Sequence, residues 1–244
     1  MWCKTMKNYS VTHVVDSLHL SSGGPSRTVV ALCDSLSYLE GIELTLLNQL
    51  KNNEATVESL SIHVDRKNCS SSTRLLRAGG FPLKKELLNV VKEGEPALIH
   101  SHGIWLPANH WAARLSKKEN IPLIIQPRGM LEPWALNHKL WKKKLAMWLF
   151  QKEDLQQAKM LIATSHQECE NFRKIGLTQP IAVIPNGVTM ASDQPEALKN
   201  KGKRRQALFL SRIHPKKGLI ILIEAWARIQ PNQWELIIAG PDEG

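Results

Sequence analysis

Short apolar runs, each followed by a stretch with apolar residues at helical spacing, recur along almost the whole chain. Residues 12–15, 97–102, 122–126, 159–164 and 181–184 are such runs, and residues 44–47 and 59–64 supply further strand-like pieces. Between them, Val29, Leu32, Cys33 and Leu36 fall on one side of a helix, and residues 83–91 and the segment with Trp111, Ala112 and Leu115 repeat the pattern. Runs that are apolar throughout belong to strands covered on both faces, and strands joined through helices pair in parallel. The pattern stops at residues 189–206, a charged polar stretch that reads as an exposed linker. It resumes as one strand, loop, helix and strand over residues 207–244. Two strands cannot cover their own faces, so this second domain is expected to be only partly present. The predicted organisation is residues 1–190, a linker at 191–206, and residues 207–244.

Charge bounds the partners. Of 244 residues, 32 are Lys or Arg and 22 are Asp or Glu, a formal +10, which suits phosphorylated small molecules, nucleic acid or an acidic membrane surface. Cys3, Cys33, Cys69 and Cys169 have no paired spacing, and Cys33 sits on the apolar side of its helix. Buried free thiols in a reducing cytoplasm are expected, with no metal site. The N-terminus lacks an apolar core of the signal-peptide kind, and the apolar run 219–227 is interrupted by Glu224, so no membrane span is expected.

Several places carry candidate chemistry. The loop after residues 207–210 holds Arg212, Lys216 and Lys217 before Gly218, which opens a helical pattern. Orphan backbone N–H groups and the positive helix end favour an anion there, although solvated basic residues would explain the same letters. Gly23 and Gly24 follow the first strand; they would let a ligand approach the backbone, or simply make a tight turn before Pro25. His102 ends the strand 97–102, where ligands bind in open α/β sheets, whereas His100 lies two residues back and reads as structural. Arg128 stands beside Gly129 after the next strand, and Asn186 and Gly187 turn out of residues 181–184. Ser165 and Glu168 form a capping box. The helix over residues 135–157 puts Trp141, Leu145, Trp148 and Leu149 on one side and Lys139, Lys142, Lys143 and Lys144 mostly elsewhere. It either faces the core or lies on an anionic membrane.

Seven separated pieces, taken together, resemble the retaining nucleotide-sugar glycosyltransferases of family 4. They are Gly23-Gly24, Ile99-His-Ser-His-Gly103, Gln126-Pro-Arg-Gly-Met130, Ala163-Thr-Ser165 with Glu168, Ile184-Pro-Asn-Gly-Val188, Ser211-Arg-Ile-His-Pro-Lys-Lys-Gly218 and Ile238-Ala-Gly-Pro241. The resemblance implies a GT-B fold of two Rossmann-like parallel-sheet domains, the second incomplete here. It implies transfer of a hexose-type sugar from a nucleotide-diphosphate-sugar donor to a glycan or lipid-linked acceptor in cell-surface polysaccharide synthesis. By resemblance, His102 contacts the transferred sugar; Arg212 and Lys217 hold the diphosphate; Gly23 and Gly24 lie near it; Arg128, Asn186 and Gly240 line the cleft. No metal or other cofactor is implied. The family's later acidic element that grips the donor has no counterpart here, so the chain is expected to be an inactive fragment. A cytoplasmic location follows, with peripheral contact to an anionic membrane through the lysine-rich helix. The alternatives are a noncatalytic nucleotide- or anion-binding α/β protein, a nucleotide-dependent oxidoreductase, which lacks its G-x-G-x-x-G here, and a nucleic-acid binder, for which only charge speaks.

Overall fold

The computed structural model describes residues 8–50, 55–59, 61–94, 96–137, 140–188 and 205–241. It divides into two units, Met1–Val188 and Thr189–Gly244.

The first unit is built on a seven-stranded sheet: β1 (Tyr9–Val15), β2 (Ile42–Gln49), β3 (Val64–Cys69), β4 (Leu98–His102), β5 (Leu123–Gln126), β6 (Met160–Ala163) and β7 (Ile181–Val183). All neighbours pair in parallel, in the order β3-β2-β1-β4-β5-β6-β7. The chain runs outward from β1 to β3 and then returns to lay β4 on the other side of β1. A crevice opens at such a reversal of strand order, outside the carboxyl ends. Helices α1 (Gly24–Leu36), α2 (Arg74–Ala78), α3 (Phe81–Gly94) and α4 (Pro107–Glu119) lie in the connections. Two apolar cores result. Val15, Leu18, Val29, Val30, Cys33, Leu44 and Leu46 form one, while Val14, Leu47, Leu83, Leu87, Ile99 and Ala112 belong to the other. The alternation of Val14 with Val15 and of Leu46 with Leu47 assigns the two faces of the sheet. Cys33 and Cys69 are buried free thiols, and burial pushes both up to about 12.

Residues 59–64 do not form the expected strand; β3 begins at Val64 and pairs with β2 from Leu44↔Val64 to Gln49↔Cys69. An edge strand needs few apolar residues, so Asp65, Arg66, Lys67 and Asn68 give no periodic signal. Ser61 instead closes a turn through its hydroxyl, 2.6 Å from that of Ser37.

The expected single helix over 135–157 is broken. It is α5 (Pro133–Asn137), α6 (Leu140–Ala146), a π-helical turn (Met147–Gln151) and α7 (Lys152–Gln156); Lys139 lies outside the described residues. Trp141, Leu145, Trp148 and Leu149 are exposed, which overturns the core-facing reading of this segment. The other side is held by polar anchors: Gln151 Oε1 accepts from the Trp105 N–H at 2.7 Å, and His110 pairs with Asp154 at 2.8 Å.

In the second unit, β8 (Arg205–Leu210) and β9 (Trp234–Ala239) pair in parallel, joined through α9 (Leu219–Ile229). None of the residues in these three elements is buried. Residues 189–204, most of the expected linker, lie outside the described residues.

Candidate functional site

His102 is the last residue of β4, level with Val15 of β1 and Gln126 of β5. Its carbonyl accepts from Asn109 Nδ2 of α4 at 3.0 Å, which fixes the strand end against the helix. Next to it on the same sheet face are His13 and His100, paired in register. The rings of His13 and His102 stack 5.2 Å apart at 8°, and those of His100 and His102 lie 4.1 Å apart. Burial, with Arg128 adding to it, lowers His13 to about 4. His100 and His102 are held well below the usual histidine value by burial, then by their histidine neighbours and Arg128. All three imidazoles are therefore neutral at pH 7.

Arg128 fixes the tautomers of His102 and His13. Its Nη2 lies 3.2 Å from His102 Nδ1, and a guanidinium can only donate, so Nδ1 is the acceptor. The proton of His102 is then on Nε2, which donates to His13 Nδ1 at 2.9 Å. His13 in turn carries its proton on Nε2, a buried atom without a partner, as is His100 Nε2. Gln126 Oε1, 3.3 Å from the same Nδ1, makes a contact without a proton. Both ring nitrogens of His102 are thus engaged, and a ligand reaches Nδ1 only when Arg128 turns away.

Arg128 itself is mostly buried, and desolvation lowers it to about 10 despite the nearby Glu168 carboxylate. Its hydrogen-bond partners are all neutral: Thr28 Oγ1 at 2.7 Å, Asn186 Oδ1 at 3.3 Å, and His102. Nε is buried and unpartnered. Arg128 adopts φ 55° and Gly129 φ 74°, a left-handed pair that aims the side chain back over the strand ends.

Glu168 holds that loop. Ser165 Oγ accepts from the Glu168 N–H at 3.1 Å, so Ser165 caps α8 (His166–Lys174) as expected. The carboxylate, however, does not return to the Ser165 N–H. It is buried, and Oε1 accepts from the Gly129 N–H at 2.5 Å while Oε2 accepts from the Thr164 N–H and hydroxyl, both at 2.7 Å. The capping-box spacing concealed this; the only sequence hint was the glycine beside Arg128.

Gly23 is the residue before α1, with φ 79°, and makes no side-chain cap, leaving the first N–H groups of the helix unclaimed by a capping side chain. A Cβ at Gly23 or Gly24 would meet nothing within 4 Å, so only the backbone angle of Gly23 requires glycine. Within the second unit, Arg212 and Lys217 are exposed on the loop that ends in the 3₁₀ turn Pro215–Lys217. Gly218, with φ 69°, caps α9. A Cβ on Gly240 would lie 1.9 Å from the Ser211 carbonyl, so Gly240 lets β9 end against this same loop. The structure therefore brings His102, Arg128 and Asn186 together in one unit, with Gly23 beginning the helix that supplies Thr28. Arg212, Lys217 and Gly240 share one loop region of the other.

Among the described residues, His13, His100 and His102 form a group whose ligand atoms lie within 4.8 Å of one another. In the arrangement present, both ring nitrogens of His102 are taken, by the Arg128 guanidinium and by His13, so they would have to be released before His102 could ligate a cation.

A parallel sheet with its switch point beside a glycine-started helix, and a second strand–helix–strand unit, define a Rossmann-like α/β fold of GT-B type. Sucrose-phosphate synthase from Thermosynechococcus elongatus superposes with TM-score 0.71 at 18% identity, over 96% of this chain and 62% of that one. HepE from Anabaena, solved with UDP and glucose, gives 0.61 at 19% identity, over 95% and 60%. A UDP-N-acetylglucosamine 2-epimerase gives 0.56 at 12%, over 94% and 63%. The chain thus spans about three-fifths of the structures it matches. At these identities the likeness is one of fold, and the fold serves more than one chemistry. No curated protein sequence matches significantly. The family profile of Glycosyltransferase Family 4 does match, over residues 22–192, and the chain belongs to that family.

Proposed function

We propose that this chain binds a nucleotide-diphosphate sugar and serves retaining, metal-independent transfer of its hexose to a glycan or lipid-linked acceptor. The setting is cell-surface polysaccharide synthesis on the cytoplasmic side of a membrane, with peripheral contact to it. The observation that carries this reading is Arg128: a mostly buried cation at the switch point whose hydrogen-bond partners are all neutral. The Glu168 carboxylate nearby offsets the desolvation of Arg128 only in part, and an incoming anion bonded to the guanidinium would relieve the rest. Arg212 and Lys217 are assigned to the diphosphate, where negative charge grows as the anomeric C–O bond breaks. Fixed cations at those oxygens stabilise the transition state more than the ground state. Gly23 and Gly24, at the uncapped start of α1, and Asn186, beside Arg128, are assigned to the substrate in the first unit, and Gly240, against the Arg212 loop, in the second.

His102 is assigned to the transferred sugar through Nδ1. As Arg128 turns toward the arriving anion it uncovers that nitrogen, so donor entry and exposure of His102 are one event. The test is calorimetry of the chain with a panel of nucleotide sugars, followed by turnover with candidate acceptors. Affinity for nucleoside diphosphates that is unchanged in Arg128→Gln, Arg212→Gln and Lys217→Ala would remove the reading. Binding with negligible turnover is the result expected of this chain, and robust turnover would overturn its reading as an inactive fragment.

A further inference from the structure

In the first unit, away from the strand ends, α6 and the π-helical turn combine exposed aromatic residues with lysines. Residues 133–152 contain five lysines and no Asp or Glu. Trp141 is 67% exposed, Leu145 48%, Trp148 79% and Leu149 58%, and Leu140 and Trp134 are exposed beside them. Two exposed tryptophans within eight residues are not the scattered apolar residues of an ordinary soluble surface. The segment cannot roll to hide them, because its other side is pinned. Lys143 Nζ lies 5.8 Å from the Trp105 ring centroid, Met147 packs on the core, Phe150 meets His110 edge-on at 4.9 Å, and Gln151 holds the Trp105 N–H.

We propose that this face docks on an anionic lipid bilayer. Trp141, Leu145, Trp148 and Leu149 enter the boundary between headgroups and acyl chains, and Lys142, Lys144 and Lys152 lie among the headgroups. The composition selects this occupant. Lysine is depleted at the cores of protein interfaces, whereas aromatic residues flanked by lysines are the signature of interfacial helices. A second copy docked about a two-fold axis would set each lysine cluster near its own image, which like-charge repulsion disfavours. Lysine stems can lie along the apolar surface with their amines in the headgroup layer; Lys142 Nζ already sits 5.3 Å over the Trp141 ring. No helix among the described residues is long and apolar enough to cross a membrane, so the contact is one of lying on the surface.

The inference deepens the peripheral contact named above and rests on that reading only for its purpose, because it is tested without donor or acceptor. The chain is floated with vesicles of phosphatidylcholine alone and of phosphatidylcholine with about 30 mol% phosphatidylglycerol, at low and high salt. The expected result is flotation with the acidic vesicles only, weakened by salt. Each lysine neutralised should weaken binding about fivefold, so Lys142→Gln with Lys144→Gln gives about 25-fold. Trp148→Ser should weaken it by about tenfold with an unchanged circular dichroism spectrum, since the side chain is exposed. Absence of flotation, equal flotation with neutral vesicles, or indifference to Trp148→Ser overturns the proposal. A concentration-dependent dimer abolished by Trp148→Ser would give the face to a second copy and overturn it too. A chain that floats yet binds no nucleotide sugar would sink the nucleotide-sugar reading and leave this surface standing.

Discussion

Replacing Glu168 by Gln separates two accounts of that residue. A capping box accepts Gln as readily as Glu at the third helical position, so a capping role predicts almost no change. The structure predicts a large one. The buried carboxylate accepts three hydrogen bonds, from the Gly129 N–H, the Thr164 N–H and the Thr164 hydroxyl. An amide offers one accepting oxygen, so its NH₂ must face either the Gly129 N–H or the Thr164 pair. Hydrogen bonds to a charged acceptor are worth about 1.5–3 kcal/mol each, and a buried N–H left opposite a donor forfeits its bond outright. Arg128 also loses the nearby negative charge that opposes its desolvation. Glu168→Gln should therefore destabilise the first unit by about 3 kcal/mol, against about 1 kcal/mol for removing the cap with Ser165→Ala. Urea unfolding followed by circular dichroism measures both. If Glu168→Gln costs less than Ser165→Ala, the carboxylate does not hold the Arg128 loop and the argument fails.

The histidine cluster makes stability depend on acid. His13 has a folded value of about 4 against an unfolded 6.5, so between those values the unfolded chain binds more protons and stability falls as pH drops. From pH 7 to 5, His13 alone should remove about 2 kcal/mol. His100 and His102 add in the same direction, and His13→Gln should flatten a urea midpoint profile; a pH-independent midpoint refutes neutral burial. Lys217→Ala should weaken nucleoside-diphosphate binding by about 2 kcal/mol in calorimetry, and unchanged affinity would take the diphosphate away from that loop. His102→Ala should cut turnover by about a hundredfold or more while leaving nucleoside-diphosphate affinity nearly intact; equal losses in both would make it a folding residue.

The strand positions, the parallel α/β class and the placing of His102 at a carboxyl end were legible in the sequence, because apolar runs and their loops are local consequences of burial. Weakly apolar β3 was not, since an edge strand is specified by its partner β2 rather than by its own letters. Strand order was also beyond local reading. Only the return of β4 to the side of β1 sets His13 under His102, 89 residues away, and only the packing of α1 and β5 on that frame brings Thr28 to Arg128 across 100 residues. The spacing of Trp141, Leu145, Trp148 and Leu149 announced a face but not its direction. Helical periodicity records which residues lie together, while the contacts of Met147, Phe150 and Gln151 on the opposite side decide which way that face turns. The same holds for Glu168, whose spacing is that of a cap and whose partners are chosen by the loop that the tertiary fold places beside it.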